Sequence, residues 1–223
     1  MAVETRREGC NETSLRRRLN RIMPFLALSA VAAVGAYLTG DLQITQFLQR
    51  FNDPYIHGLM VAVSWSGYQG RQWIVALFVA ALLLRFRLRI EAACLLISLG
   101  AGVLLANFIK LIVARPRPSP DLVEVYLTHP TWSFPSGHVV TYMTLYGFLF
   151  YIVYTLMRRS ALRSAILVLL GALIGLVGLS RVYLGAHWAS DTLAGYGFGL
   201  LCLALMIHLY WRLRTRRISG GEG

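Results

Sequence analysis

The amino-acid sequence predicts an all-α integral membrane protein, built as a bundle of six transmembrane helices with an extra amphipathic helix on its surface. Hydrophobic residues make up 57% of the 223 residues and charged residues only 14%, whereas a soluble domain usually has about 25% charged residues. The formal net charge is +12, and the basic residues lie in short runs between apolar segments. Such runs orient membrane helices, so we expect a lipid bilayer and no nucleic acid as partner.

The apolar segments define the domain organisation. A basic tail, 1–21, precedes span one at Ile22–Leu38, which we interpret as a retained anchor because it lacks a convincing small-residue cleavage site. The remaining spans are predicted at Trp73–Leu84, Ala92–Ile109, His138–Leu156, Ala165–Leu179 and Thr192–Leu209. A single membrane domain, 22–211, is therefore expected between the first tail and a second basic tail, 212–223.

The segment Gly40–Gly70 is too polar for a simple span. Its apolar residues Ile44, Phe47, Leu48 and Phe51 recur at helical spacing, which predicts an amphipathic helix lying on the outer surface. The run Asn52-Asp53-Pro54 is a helix-start signal, with a capping side chain before a proline in the first turn. The helix that it begins is expected either at the interface or partway into the bilayer.

Six spans place both termini on one side of the membrane, together with most of the arginines. The positive-inside rule makes that side cytoplasmic, so we expect a multi-pass membrane protein with both tails in the cytoplasm. The segment 40–70, the proline-rich loop Val113–Gly137 and the turn Ser180–Asp191 then all lie outside. The polar residues of interest are concentrated on that outer face.

The first polar stretch is Lys-Leu-Ile-Val-Ala-Arg-Pro-Arg-Pro at 110–118. Lys110 is the only lysine in the sequence, although arginine would serve equally well to orient a helix. A compact ammonium at a helix end, close to the guanidinium of Arg117, suits an anion with several oxygens. The alternative is that Lys110 extends its ammonium to the membrane surface without any ligand.

The second stretch is Pro135-Ser136-Gly137-His138, directly before a span. A turn that runs into a helix presents free backbone N–H groups and the positive end of the helix dipole to an anion. The hydroxyl of Ser136 is another donor, and His138 could give a proton to a leaving oxygen. The alternative is that His138 is only a polar residue at the interface.

The third stretch, 180–191, contains Arg181, His187 and Asp191. His187 and Asp191 are four residues apart, so on a helix they share a face and the carboxylate can hold one imidazole N–H. The other ring nitrogen then presents a lone pair. An interfacial cluster of ion pairs without catalytic function is the alternative interpretation.

Together the stretches provide three cations, a backbone anion site, two histidines and one carboxylate, but no acidic cluster for magnesium, no glycine-rich nucleotide loop and no nucleophile elbow. This set predicts phosphoryl transfer onto nitrogen without a metal or another cofactor. His187 would attack phosphorus while Lys110, Arg117 and Arg181 neutralise the phosphoryl oxygens. His138 would protonate the leaving oxygen, and water would then hydrolyse the phosphohistidine.

Lys-x6-Arg-Pro at 110–118, Pro-Ser-Gly-His at 135–138 and Ser-Arg-x5-His-x3-Asp at 180–191 resemble, in order and spacing, the three signature motifs of the membrane-bound type-2 phosphatidic-acid phosphatase superfamily. The resemblance implies a helical bundle with an outward-facing site that dephosphorylates lipid phosphates or pyrophosphates through a histidine intermediate. By position it makes His187 the nucleophile, Asp191 its partner and His138 the acid. It also implies phosphate contacts from Lys110, Arg117, Ser136, Gly137 and Arg181.

The resemblance leaves the lipid open. Undecaprenyl pyrophosphate is favoured because its recycling requires an outward-facing site, and the alternatives are phosphatidylglycerophosphate with phosphatidic acid, or a lipid A phosphate. Soluble relatives with the same motifs, such as vanadium haloperoxidases, match poorly because they lack the six apolar spans. A small membrane transporter is the non-enzymatic alternative. It predicts ionisable residues in the middle of spans, but spans three to six carry their charges at the ends.

Overall fold

The computed structural model describes residues 40–68, 70–126 and 130–219, with side chains as far as residue 215. Predicted span one and the first basic tail lie outside these residues. Within them the chain is helical and has no strand. The helices are α1 (Asp41–Gln49), α2 (Pro54–Ser64), α3 (Arg71–Arg85), α4 (Arg89–Val113), α5 (Gly137–Leu156), α6 (Ala161–Tyr183) and α7 (Ala189–Ser219), and a short 3₁₀ helix, Trp65–Gly67, follows α2.

Among the described residues, four helices are long and apolar enough to cross a membrane, namely Arg89–Val113, Gly137–Leu156, Ala161–Tyr183 and Ala189–Thr215. They confirm predicted spans three to six, and the helices continue beyond the predicted bounds except at Leu156, where span four and its helix both end. The segments Pro54–Gly67 and Arg71–Arg85 are bent by 67° relative to each other, so the described residues contain four or five candidate spans. A total of six remains a prediction.

The helix α5 lies at the centre of the bundle and packs against α4, α6 and α7. Its side chains Tyr142, Leu145 and Phe148 are almost fully buried. Close packing relies on small residues, since a Cβ atom at Gly199 of α7 would lie only 2.4 Å from Cβ of Met143. The first half of α5 therefore lies directly against α7.

The segment with the predicted amphipathic spacing forms the helix α1, which ends at Gln49 before Phe51; its place on the outer membrane surface stays a prediction. Ile44 and Phe47 point outward, whereas Asp41 and Thr45 are buried against the protein. The apolar face is thus free to meet lipid, and the polar face of α1 contacts the bundle. The predicted helix start is confirmed too, because the Asp53 carboxylate accepts hydrogen bonds from the first backbone N–H groups of α2.

The proline-rich loop contains no helix in the described residues between Val113 and Gly137, as predicted. It is tied to the turn that follows α6, because the N–H of Tyr126 donates to the carbonyl of Leu184. Gly185 of that turn has a φ of 64°, and a Cβ atom there would lie 2.0 Å from the Glu124 carbonyl oxygen. Only glycine allows this approach of the loop to the turn.

Candidate active site

All of the predicted site residues lie at one end of the bundle. Lys110 belongs to the last turn of α4 and Arg181 to the last turn of α6. The helix α5 begins at Gly137, and Asp191 lies in the first turn of α7. The basic runs lie at the opposite end, between α3 and α4, between α5 and α6, and in the last turns of α7.

His187 lies in the turn before α7 and not on a helix, which corrects the prediction that His187 and Asp191 share a helical face. The left-handed conformation of Gly185 interrupts the helix, and α7 begins at Ala189. The Nδ1 of His187 lies 3.7 Å from Oδ2 of Asp191, which is longer than a hydrogen bond. The Asp191 carboxylate also accepts the backbone N–H of Trp188 at 3.0 Å, so it caps the helix on which it lies.

The hydroxyl of Ser133 bridges the gap between the histidine and the carboxylate. It donates to Oδ2 of Asp191 and lies 3.4 Å from Nδ1 of His187. On the other side of the ring, NH1 of Arg117 lies 3.1 Å from Nε2. A guanidinium can only donate, so Nε2 accepts and Nδ1 carries the proton. The ring is therefore held with a lone pair on Nε2.

Arg117 is fixed chiefly by backbone oxygens. Its NH1 donates to the carbonyl of Ala186, and its Nε donates to the carbonyl of Thr131 at 2.6 Å. Burial and the nearby charge of Arg181 lower the pKa of Arg117 to about 10. The guanidinium is still fully cationic at neutral pH.

The predicted anion site lies at the start of α5, and whether it binds an anion stays a prediction. Ser136 is fully buried, and its hydroxyl has no hydrogen-bond partner within the described residues. The N–H of Ser136 donates to the carbonyl of Asp191, which holds the starts of α5 and α7 together. An unpaired buried donor at a helix start is costly in the protein alone, so this hydroxyl suits an oxygen-rich ligand.

His138 is enclosed by the 3₁₀ segment that follows α2. The ring of Tyr68 meets the imidazole edge-on, with centroids 4.8 Å apart. A Cβ atom at Gly67 would lie 2.3 Å from Cδ2 of His138. The imidazole therefore occupies space that any side chain at residue 67 would need.

Lys110 and Arg181 take positions that the sequence did not specify. The Lys110 ammonium donates to the carbonyls of Trp132 and Ser133, so it points inward and does not extend to the membrane surface. Arg181 is fully buried, lies over the ring of Tyr68 and donates to the Tyr68 hydroxyl and, at 3.4 Å, to Ser64. Its guanidinium thus lies beneath the site.

A cavity of about 290 Å³ brings part of the predicted set together. Lys110, Arg117, Gly137, His138 and His187 line it, whereas Ser136, Arg181 and Asp191 lie behind its wall. The lining also includes residues that the sequence analysis missed, among them Gln72, Asn107, Thr131 and Thr141.

Three further residues next to the site were not predicted from the sequence, namely Ser133, Arg115 and Asp41. Arg115 donates to Asp191 at 2.6 Å and to Asp41 at 2.7 Å. Its signal was present, because Arg115 lies inside the first motif two residues before Arg117. Ser133 carried only a weak signal as a hydroxyl in the loop, and Asp41 carried none because it is distant in sequence from all three motifs.

Known proteins resemble this chain over most of its length. The family profile described as the PAP2 superfamily matches residues 91–215. Phosphatidylglycerophosphatase B of Bacillus subtilis is 27% identical over 183 residues, which cover 82% of this chain and 89% of the relative. Undecaprenyl-diphosphatase of Sulfolobus acidocaldarius is 33% identical over 147 residues, or 65% of this chain and 66% of the relative.

Solved structures show the same fold. The crystal structure of a transmembrane PAP2-type phosphatidylglycerolphosphate phosphatase from Bacillus subtilis superposes with a TM-score of 0.73 at 24% identity, covering 87% of this chain and 96% of that one. The crystal structure of Aquifex aeolicus LpxE gives a TM-score of 0.59 at 22% identity over 74% of this chain and 93% of that one.

Proposed function

The chain belongs to the PAP2 superfamily, and we propose that it is a metal-independent lipid phosphatase that works through a phosphohistidine on His187. The observation that carries this proposal is an imidazole nitrogen, oriented as an acceptor, in the wall of a cavity lined by cations. A lone pair in that position can attack phosphorus. The ammonium of Lys110 and the guanidinium of Arg117 are placed to neutralise the phosphoryl oxygens.

In the first step Nε2 of His187 forms a bond to phosphorus and the bond from phosphorus to the lipid oxygen breaks. The proton on Nδ1 stays on the ring, held by Ser133 and through it by Asp191. The carboxylate stabilises the positive charge that the ring gains, as in other oriented histidines. The NH1 group of Arg117 passes from Nε2 to a phosphoryl oxygen as the new bond forms.

His138 supplies the proton of the first step, because it is the other histidine in the cavity wall. It protonates the departing lipid oxygen and becomes neutral. In the second step it accepts a proton from water, the water oxygen bonds to phosphorus, and the bond to Nε2 breaks. The backbone at Gly137, in the cavity wall, takes a further phosphoryl oxygen, and Arg181 adds its charge from beneath the site.

The substrate class that we propose is a phosphomonoester or diphosphate of a membrane lipid. The names of both relatives support a lipid substrate, one a phosphomonoester and the other a diphosphate. Our sequence-based preference for undecaprenyl pyrophosphate has no support from the cavity itself. Its wall adds the amides of Gln72 and Asn107, which can bind a second phosphate or the hydroxyls of a headgroup.

We further propose that the site faces the outer side of a bacterial inner membrane, with tails 1–21 and 212–223 in the cytoplasm. The grouping of the basic runs at the end of the bundle opposite the site supports this orientation. A thiol-reactive reagent that cannot cross the membrane should label Ser119→Cys, in the proline-rich loop, in intact cells. Labelling only after lysis would indicate the opposite orientation, with the site on the cytoplasmic side.

The function is tested by phosphate release from the purified, detergent-solubilised protein in EDTA. The lipid panel contains undecaprenyl pyrophosphate, phosphatidylglycerophosphate, phosphatidic acid and a lipid A phosphate. We expect activity that resists EDTA, vanishes in His187→Ala and persists in His57→Ala, whose ring lies against Tyr126 outside the site. Normal release by His187→Ala would overturn the assignment of the nucleophile.

The intermediate is tested by rapid acid-free quenching with a lipid carrying labelled phosphate. We expect a phosphoprotein that is stable in alkali and labile in acid, as a bond from phosphorus to nitrogen requires. Label that survives acid would place the phosphate on an oxygen instead. Lipid transport that survived His187→Ala in reconstituted vesicles, without any hydrolysis, would support the transporter alternative.

A further inference from the structure

The surface helix α1 contacts the bundle through a carboxylate at its first residue. Asp41 is only 8% exposed. Its Oδ1 accepts the backbone N–H of Ser190 at 2.8 Å, and its Oδ2 accepts the Ser190 hydroxyl at 2.5 Å. A carboxylate of one helix therefore caps the first turn of another, the helix α7 that carries Asp191.

The same carboxylate also binds Arg115. NH2 of this arginine lies 2.7 Å from Oδ2 of Asp41, and NH1 lies 2.6 Å from Oδ1 of Asp191 and from the Ser190 hydroxyl. The guanidinium thus joins two buried carboxylates. Its planar set of donors suits this bridging arrangement, which a lysine ammonium does not reproduce.

Every oxygen of the Asp191 carboxylate consequently has an assigned donor. Oδ1 accepts from Arg115, while Oδ2 accepts from the Ser133 hydroxyl and from the N–H of Trp188. Ser133 is the group that meets His187. The orientation of the imidazole depends on where this carboxylate lies, and Arg115 and Ser190 fix that position from the side opposite the histidine.

We propose that Asp41 is a positioning residue for the reaction, which acts through Arg115 and Ser190 on the Asp191 carboxylate and through it on His187. This inference rests on the proposed function. None of Asp41, Arg115 and Ser190 lines the cavity, so the effect of Asp41 falls on the rate of attack and not on substrate binding. The helix α1 is then part of the reaction centre as well as a contact with the membrane surface.

The physical effect of removing the Asp41 charge has two parts. The amide oxygen of the new Asn can still accept the N–H of Ser190, but without the negative charge that strengthens this cap on the first turn of α7. Arg115 keeps Asp191 but loses the second anchor that fixes its direction. Small displacements of a catalytic group lower rates by roughly 10- to 100-fold, and we expect the single-turnover rate of Asp41→Asn to fall within this range while KM stays within about twofold of wild type.

The experiment measures the burst of phosphohistidine on rapid mixing of the full-length enzyme with its best lipid substrate. The burst amplitude counts correctly folded sites, and the burst rate reports the attack of His187. Asp41→Asn and Asp41→Glu are compared with Asp121→Asn, a carboxylate that pairs with Ser119 in the exposed loop. We expect Asp41→Asn to keep the amplitude and slow the burst, Asp41→Glu to regain part of the rate, and Asp121→Asn to match wild type.

A double-mutant cycle tests the route through Arg115. If Asp41 acts through that guanidinium, Asp41→Asn should add little to the loss caused by Arg115→Gln alone. Fully additive losses would overturn the route. A wild-type burst rate in Asp41→Asn, or a reduced amplitude with an unchanged rate per site, would overturn the positioning role itself.

These outcomes are distinct from a failure of the proposed function. If the mechanism is wrong, the wild-type enzyme and Asp121→Asn will show no phosphohistidine burst either. If only the positioning inference is wrong, both will show it and Asp41→Asn will match them.

Discussion

Replacing Ser133 by alanine is the sharpest test of how His187 is oriented. The Ser133 hydroxyl donates to Asp191 and meets Nδ1 of His187 at 3.4 Å, whereas the direct distance from Nδ1 to the carboxylate is 3.7 Å. Ser133→Ala deletes only this hydroxyl. The imidazole Nδ1 then loses the hydroxyl that links it to the Asp191 carboxylate.

The size of the effect follows from the charged partner of the hydroxyl. A hydrogen bond to a charged group contributes about 1.5–3 kcal/mol. If the transition state loses this amount, kcat falls roughly 10- to 150-fold. Compensation would require the ring to move about 0.9 Å toward the carboxylate to reach a normal distance, and the ring is held by Arg117 and only 1% exposed.

The assay is steady-state phosphate release by Ser133→Ala across a range of lipid concentrations. We expect kcat to fall and KM to stay close to wild type, because Ser133 does not line the cavity. Ser119→Ala is the matched control, since it removes another serine hydroxyl that donates to an aspartate, at 2.9 Å, in the exposed loop. A wild-type kcat in Ser133→Ala would show that the ring contacts Asp191 directly during the reaction.

Two further predictions concern the cavity wall. Arg117→Lys should lose activity at a lower pH on the alkaline side than wild type does. Burial and the charge of Arg181 already lower the pKa of Arg117 to about 10, and a lysine, which has a lower intrinsic pKa, should lose its charge earlier. Identical alkaline limbs in the two pH–rate profiles would contradict this. Gly67→Ala should slow turnover about 100-fold, because the new Cβ would lie 2.3 Å from Cδ2 of His138 and displace the imidazole. The rate should fall less for lipids with a better leaving group, which need less help from an acid. Gly58→Ala, whose Cβ would have no neighbour within 4 Å, is the control, and equal rates for the two variants would remove His138 from the proton transfer.

Much of the fold could be predicted because hydropathy marks long helices directly. Spans three to six appear where the apolar runs predicted them, and Asp53 caps α2 as its sequence indicated. Span two was harder, because Gly70 adopts a left-handed conformation and separates Pro54–Gly67 from Arg71–Arg85 at an angle. Composition shows that such a segment is apolar but not how it bends.

The site was predictable where neighbours in sequence act together. The predicted residues that line the cavity come from the three short polar stretches, namely Lys110 and Arg117 from the first, Gly137 and His138 from the second, and His187 from the third. The error in the geometry of His187 had a local cause, because the spacing of four residues suggested a helix that Gly185 interrupts. Contacts between distant segments, such as that of Asp41 with Ser190, leave no pattern in a single sequence.

The first motif contains two arginines, Arg115 and Arg117, and only Arg117 was predicted from the sequence to belong to the site. The prolines at 116 and 118 keep this stretch out of a helix, and its two guanidinium groups diverge. Arg117 reaches Nε2 of His187 at 3.1 Å, and Arg115 reaches the carboxylate that serves Nδ1. One short run therefore holds the imidazole from both sides, so a substitution at Arg115 should slow the attack, whereas a substitution at Arg117 should also weaken the binding of the phosphate.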